Sequence, residues 1–232
     1  MVSDAFRRRL TIACAVTILF GAVALAAAFY ATRWHPARDA YTLQGVDVTG
    51  ANGVIDWFVV RAQGADFAYV RATIGADRRD TRFADNWAAL EAVDMPRGAV
   101  HVFSLCSPAA AQAANFVRTV PRTGDALPAA LALDFSDDCT ARPSRETVIA
   151  RVTSFLRLTE GHAGKPMLLR LSRQFEKRYR ISEIIDRPAW VEGRFFAPDY
   201  TARPWRMWRA SDVRRIDGVS GTVNWDVIAD DR

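Results

Sequence analysis

Asp47 in Gly45-Val46-Asp47-Val48, His101 in Ala99-Val100-His101-Val102 and Asp134 in Leu131-Ala132-Leu133-Asp134 share one setting: a titratable side chain inside or just past a short apolar run. Successive side chains of a strand alternate between its faces. Val46 and Val48 therefore oppose Asp47, Val100 and Val102 oppose His101, and Leu131, Leu133 and Phe135 oppose Ala132, Asp134 and Ser136. With the β-branched faces against helices, Asp47, His101 and Asp134 are expected to line one interior near the carboxyl ends of their strands. Two carboxyl groups sharing a site can divide acid and base roles, because each disfavours ionisation of the other. A plainer reading stays open for each: a strand-end aspartate also caps helices and turns, and a histidine in an apolar run is also a hydrogen-bonded core residue. Asp134, Asp137 and Asp138 lack the twelve-residue loop of a calcium site, and there is no P-loop, HExxH, CxxC or dinucleotide glycine fingerprint. No metal and no cofactor are expected.

The elements that must position these residues alternate along the chain. Strands are expected at 45–48, 67–73, 99–103, 131–135 and 166–171, with helices at 54–63, 81–93, 108–120 and 144–160 between them. Ser144 is a good N-cap for the last of these helices. Strand starts about 22–35 residues apart mark repeated β-α units and a parallel sheet. Beyond residue 172 come three short strands, 190–193, 205–210 and 221–227, with little helix between them. Eight strands in this order suit a closed barrel, whose active site lies at the carboxyl ends of its strands. Trp190, Trp205, Trp208 and Trp225 cluster in the last three, where they serve as core or stack on sugar rings.

The 232 residues are 50% hydrophobic and 25% charged, ordinary globular usage that excludes disordered and collagen-like chains. Net charge is +5, three of its arginines lie in the first nine residues, and only two of 31 basic residues are lysine. The body is thus weakly basic, with no nucleic-acid stripe. Residues 10–30 carry no charge and follow Arg7, Arg8 and Arg9. At about 1.5 Å per residue they reach roughly the 30 Å of a bilayer core. The division expected is a cytoplasmic tail at 1–9, a transmembrane anchor or signal segment at 10–30, a polar tether at 31–43 and one domain at 44–232. The basic flank places that domain outside the cytoplasm. The expectation is a single-pass inner-membrane protein with its domain in the periplasm; cleavage near Ala24–Ala28, giving a secreted domain, is the alternative. Cys106 and Cys139, both exported, are expected to pair, since both follow neighbouring strands at similar offsets.

The ordered set of motifs resembles glycoside hydrolase family 25, the muramidase-type lysozymes. Gly45-Val46-Asp47-Val48-Thr49 is similar to the family's opening G-[IV/F]-D-[VI]-S, and Ile55-Asp56-Trp57 to its IDW. "FAYVRATIG" from Phe67 resembles FxYIKATEG, "RGAVHVF" resembles GAYHF, "LALDF" stands where the family has LDVE, and "GVSGTVNWDV" is similar to its closing motif. The resemblance implies an irregular TIM-like (β/α)5(β)3 barrel, here preceded by one N-terminal transmembrane helix. It also implies a monomer that hydrolyses the β-1,4 bond after N-acetylmuramic acid in peptidoglycan glycan strands, with Asp47 and Asp134 as catalytic acids. Departures accompany it. The Glu of the family's DxE falls on Ser136, its last-strand Asp on Asn224, its KATEG glutamate on Ile74, a tyrosine on Leu169, and Trp-Gln-Tyr on Trp208-Arg209-Ala210. Asp137, Glu192 and Asp226 are the acids placed to compensate, and Arg71, His101, Trp208, Arg209 and Asn224 the substrate-binding candidates. Arg71, Arg170, Arg194 and Arg209 near the mouth suit the carboxylates of peptide stems. Three functions follow: a tethered cell-wall glycosidase, a barrel that binds glycan without cleaving it, and a scaffold for another membrane protein.

Overall fold

A computed structural model describes residues 4–230, the side chains of residues 5 and 7 excepted. Residues 1–3 of the expected tail and 231–232 of the expected domain lie outside the described residues. The chain forms two compact units, residues 1–34 and residues 35–232. The first is a single helix, α1 (Asp4–Ala31), whose segment Arg8–Ala31 is long and apolar enough to cross a membrane.

In the second unit eight strands close into a barrel: β1 (Gln44–Val48), β2 (Phe67–Ile74), β4 (Arg97–Val102), β5 (Ala130–Leu133), β6 (Leu168–Leu171), β7 (Ala189–Glu192), β8 (Met207–Arg214) and β9 (Val223–Ile228). Neighbours are parallel from β1 through β8; β9 runs antiparallel to both β8 and β1 and closes the ring. A two-residue strand, β3 (Arg78–Arg79), doubles back on the end of β2. The covering helices are α2 (Trp57–Ala62), α3 (Phe83–Ala92), α4 (Ala109–Thr119) and α5 (Arg145–Ala163). After β6 come α6 (Arg173–Tyr179) and the single turn α7 (Ile181–Ile184). Ser144 caps α5 through the Thr147 N–H, and Gly164, with φ 70°, ends it in the left-handed conformation that glycine adopts without strain. Ser172 caps α6 through the Phe175 N–H in the same way.

The interior is filled by Phe67, Tyr69, Val100, Ala130, Ala132, Leu168, Trp190 and Met207. Two glycines make room for its aromatic rings. A Cβ on Gly98, which pairs with Tyr69, would lie 2.3 Å from the Tyr69 ring, and one on Gly45 would lie 2.3 Å from the Phe67 carbonyl. The membership of Val100 corrects one expectation. The β-branched face of β4 looks into the barrel, so His101 looks out at the helices. A narrow barrel needs bulky apolar side chains inside as well as beneath its helices, and β-branching alone does not tell the two faces apart.

Residues 36–43 are laid along the barrel wall. The Gln44 side chain donates to the Pro36 carbonyl at 3.0 Å and to the Tyr41 carbonyl at 3.1 Å, and Arg38 pairs with Asp66 at 2.9 Å. Cys106, four residues past β4, is bonded to Cys139, six residues past β5, with Cα atoms 5.8 Å apart. In the chain-entropy model a link across that separation contributes about 3–4 kcal/mol. Its local effect is to tie down the loop that follows Asp134.

Candidate functional site

The mouth is built on Trp190. Its ring lies inside the barrel, 5.0 Å from that of Tyr69, and its indole N–H donates to Asp226 Oδ1 at 2.9 Å. Two guanidinium groups lie against it, Arg170 at 5.1 Å from the ring centre and Arg209 at 5.8 Å. Alternation explains the convergence. In β6, Leu168 and Arg170 point inward while Leu169 and Leu171 point out; Trp190 and Glu192 do so in β7, Met207 and Arg209 in β8.

Asp47 lies among these groups, 2% exposed. Arg170 donates to both of its oxygens at 3.2 and 3.3 Å, Arg209 donates to Oδ2, and Asn224, its pairing partner across β1 and β9, donates to Oδ2 at 3.1 Å. Both arginines also reach Glu192 Oε1, Arg209 at 3.0 Å and Arg170 at 3.6 Å. The result is a four-membered ring of alternating charge, Asp47–Arg170–Glu192–Arg209. Burial would push the Asp47 pKa up, but the adjacent charges of Arg209 and Arg170 outweigh it and hold the carboxyl below its ordinary range. Asp47 is a carboxylate, with its lone pairs committed, and no proton donor near neutral pH.

Asp226 is its opposite. It is fully buried, its Oδ2 has no hydrogen-bond partner, and burial followed by the negative charge of Asp47 raises its pKa well above the ordinary aspartate value. Being inaccessible, it does not meet a substrate. Its titration gives a signed prediction. Below the ordinary carboxylate pKa of about 3.9 both folded and unfolded chains carry this proton. Above that pH the unfolded chain releases it while the folded chain keeps it, so this group lowers stability progressively as pH rises. Asp226→Asn preserves the oxygen facing Trp190 and removes that penalty. It should therefore raise the melting temperature at pH 7–8, by about 2–4 °C for each kcal/mol recovered, with the gain vanishing as melting is measured toward pH 4. A gain that grew on acidification would refute the assignment.

The remaining residues divide. Asp134 stands one position past β5 on the inward side, exposed, its Oδ1 accepting the Phe135 N–H at 2.8 Å. It is not among the partners of Asp47 described here. Asp137 is exposed in the loop beyond. The Ser136 hydroxyl donates to Asp138, which also pairs with Arg78; the Ser136 hydrogen bond is the main reason the Asp138 carboxyl is held below its usual range. Arg71 is committed to Asp80 at 2.8 Å, and Arg194 to Asp212 at 2.6 Å.

Two substrate-binding candidates are not at the mouth. His101 is fully buried, held by Thr73 at 2.7 Å and Gln112 at 3.2 Å and stacked on Phe155 of α5. Burial lowers its pKa to about 4, so it is a neutral core residue. Trp208 faces outward from β8, 3% exposed, packed beside Tyr41 and Trp205. Its one-residue offset from the inward Met207 and Arg209 excludes it from the mouth. Arg170, expected near the mouth, is there, but its partners are Asp47 and Glu192 of this chain; an arginine inside Leu-Leu-Arg-Leu is a signal for such a pairing, since a buried strand tolerates it only with an anionic partner.

Comparison with known proteins agrees with the architecture. The uncharacterized protein YegX of Escherichia coli strain K12 is 30% identical over 194 residues, covering 81% of this chain and 70% of that protein. A family 25 glycosyl hydrolase from Bacillus anthracis superposes with a TM-score of 0.77 at 26% identity, over 87% of this chain and 94% of that one. A bacterial lysozyme from Streptomyces coelicolor shares the fold, with a TM-score of 0.73 at 24% identity, over 80% of this chain and 91% of the other. The family model for glycosyl hydrolases family 25 matches residues 46–219, β1 through the approach to β9, and the chain belongs to that family.

Proposed function

We propose that this protein is a muramidase-like glycosidase that acts on the β-1,4 bond after N-acetylmuramic acid in peptidoglycan. On this reading α1 anchors it in the inner membrane and the barrel works in the periplasm. The observation that carries the reading is the family match over the whole β/α part of a barrel whose mouth displays carboxyl groups. Glycosidases ordinarily work with two carboxyl groups about the scissile bond. Asp134 is the exposed carboxyl at a strand end and Glu192 the partly exposed one across the mouth; Asp47 supplies a fixed negative charge behind them. The full chain in mild detergent should release reducing sugars from peptidoglycan, and Asp134→Asn should lower that rate by about 10²–10⁴-fold. If both proteins are equally inert the catalytic reading ends, whereas equal hydrolysis by both would remove Asp134 from the chemistry.

A second function, glycan binding without turnover, is supported by the motif resemblance and the ring. The resemblance sets Ser136 where the family has a glutamate, and a serine carries no proton that it could donate as an acid near neutral pH; it sets Asn224 where the family has its last-strand aspartate. Asp47 has meanwhile been taken up by two arginines. An inert protein that still sediments with insoluble peptidoglycan would support this reading.

A further inference from the structure

The charged ring in the mouth is asymmetric. Asp47 is buried and holds both arginines through two oxygens, with Asn224 as a third donor. Glu192 holds them through one oxygen, at 3.0 and 3.6 Å, and its side chain is 28% exposed against 15% for each arginine. Solvent therefore reaches the ring from the Glu192 side. Both guanidinium groups are oriented in advance, since each lies against the Trp190 ring and is fixed from behind by Asp47. A pair of fixed guanidinium edges is a site for a planar carboxylate. Glu192 occupies that site from within the chain.

We propose that Glu192 stands in for a ligand carboxylate, and that Arg170 and Arg209 exchange it for a carboxylate carried by the cell-wall polymer. This rests on the peptidoglycan reading above and sharpens it: the preferred strand carries a free carboxylate at the bound muramic acid. Two sources have that chemistry. One is the lactyl group of a muramic acid without a peptide; the other is the carboxyl terminus of a short stem. Glycan whose carboxylates are all masked meets two arginines already neutralised by Glu192 and gains nothing from them.

The test measures binding without turnover, by titration calorimetry or ligand NMR on the full chain in mild detergent. The probes are N-acetylmuramic acid, N-acetylmuramyl-L-alanine, and the methyl ester of each. The wild-type chain should bind at least one acid more tightly than its ester, and the acid that does so identifies the source. Glu192→Gln removes the competing charge and leaves the buried Asp47 contacts in place. It should tighten binding of that acid about tenfold, leave the ester unchanged, and make acid binding more sensitive to salt. Equal affinities for acid and ester in both wild type and Glu192→Gln would overturn the proposal. That result alongside continued peptidoglycan hydrolysis would leave the glycosidase reading standing, whereas a clear preference for acid in a chain without hydrolysis would remove catalysis and keep the carboxylate site.

Discussion

Asp47→Ala should destabilise the barrel by about 3–5 kcal/mol, the usual cost of removing one partner from a buried ion pair. Asp47 is the only ring member sealed from water on all sides; its side chain is 2% exposed, and three donors converge on it. Without it, Arg170 and Arg209 face each other above Trp190 with Glu192 as their remaining shared acid, and the Asn224 amide loses its acceptor. At about 2–4 °C per kcal/mol for a domain of this size, the melting temperature should fall by on the order of 10 °C. Circular dichroism on the full chain measures this. Adding Arg209→Met should recover part of the loss, because it removes the orphaned cation, and a double-mutant cycle gives the coupling directly. A single-mutant loss below about 1 kcal/mol would mean that the ring does not hold the mouth together. The same experiment separates structural from chemical roles: activity lost through Asp47 alone is uninterpretable unless the fold is shown to survive.

The second large effect is a gain. Ser136→Glu restores the acid that the resemblance places two residues after Asp134. It should raise peptidoglycan hydrolysis by about 10²-fold and at most about 10⁴-fold, the range attributed to a positioned general acid. Two neighbours favour the protonated form of the new residue. Asp134 is close in sequence, and the Ser136 hydroxyl donates directly to Asp138 in the present structure; like charges so near raise a carboxyl pKa. The Cys106–Cys139 bond keeps the loop in place around the substitution. Ser136→Ala is the control, expected to leave the rate unchanged. If folded Ser136→Glu is no faster than wild type, the absence of an acid at position 136 is not what limits turnover.

The sequence disclosed the barrel through spacing. Strand starts two to three dozen residues apart required β-α units, and eight strands closing at β1 and β9 followed from three helix-poor strands at the end. Ser144 could be named as the cap of α5 because its chemistry is local. The helix after β6 has no clear signature in the sequence, since seven residues offer too few turns for a period, although Ser172 caps it as Ser144 caps α5. The site was harder to read. Alternation placed Asp47 and Asp134 on inward faces but said nothing of depth, and depth separates a sealed carboxylate from an exposed one. It misplaced His101 because valines fill both sides of a closed sheet. Trp208 and Arg209, adjacent in the chain, face opposite ways, so naming both as ligands contradicted the period of two. Arg170 and Glu192 could be named near the mouth, but the ring that joins them to Asp47 needed tertiary structure, because Asp47 and Arg170 lie 123 residues apart in the chain.

The measurement that bears most directly on the account is the identity of the sugar at the newly formed reducing end. Peptidoglycan digested with the full chain, reduced with borohydride and analysed by mass spectrometry should yield reduced N-acetylmuramic acid, with none of it formed by Asp134→Asn. Reduced N-acetylglucosamine in its place would assign the cut to the other glycosidic bond and contradict the proposed function.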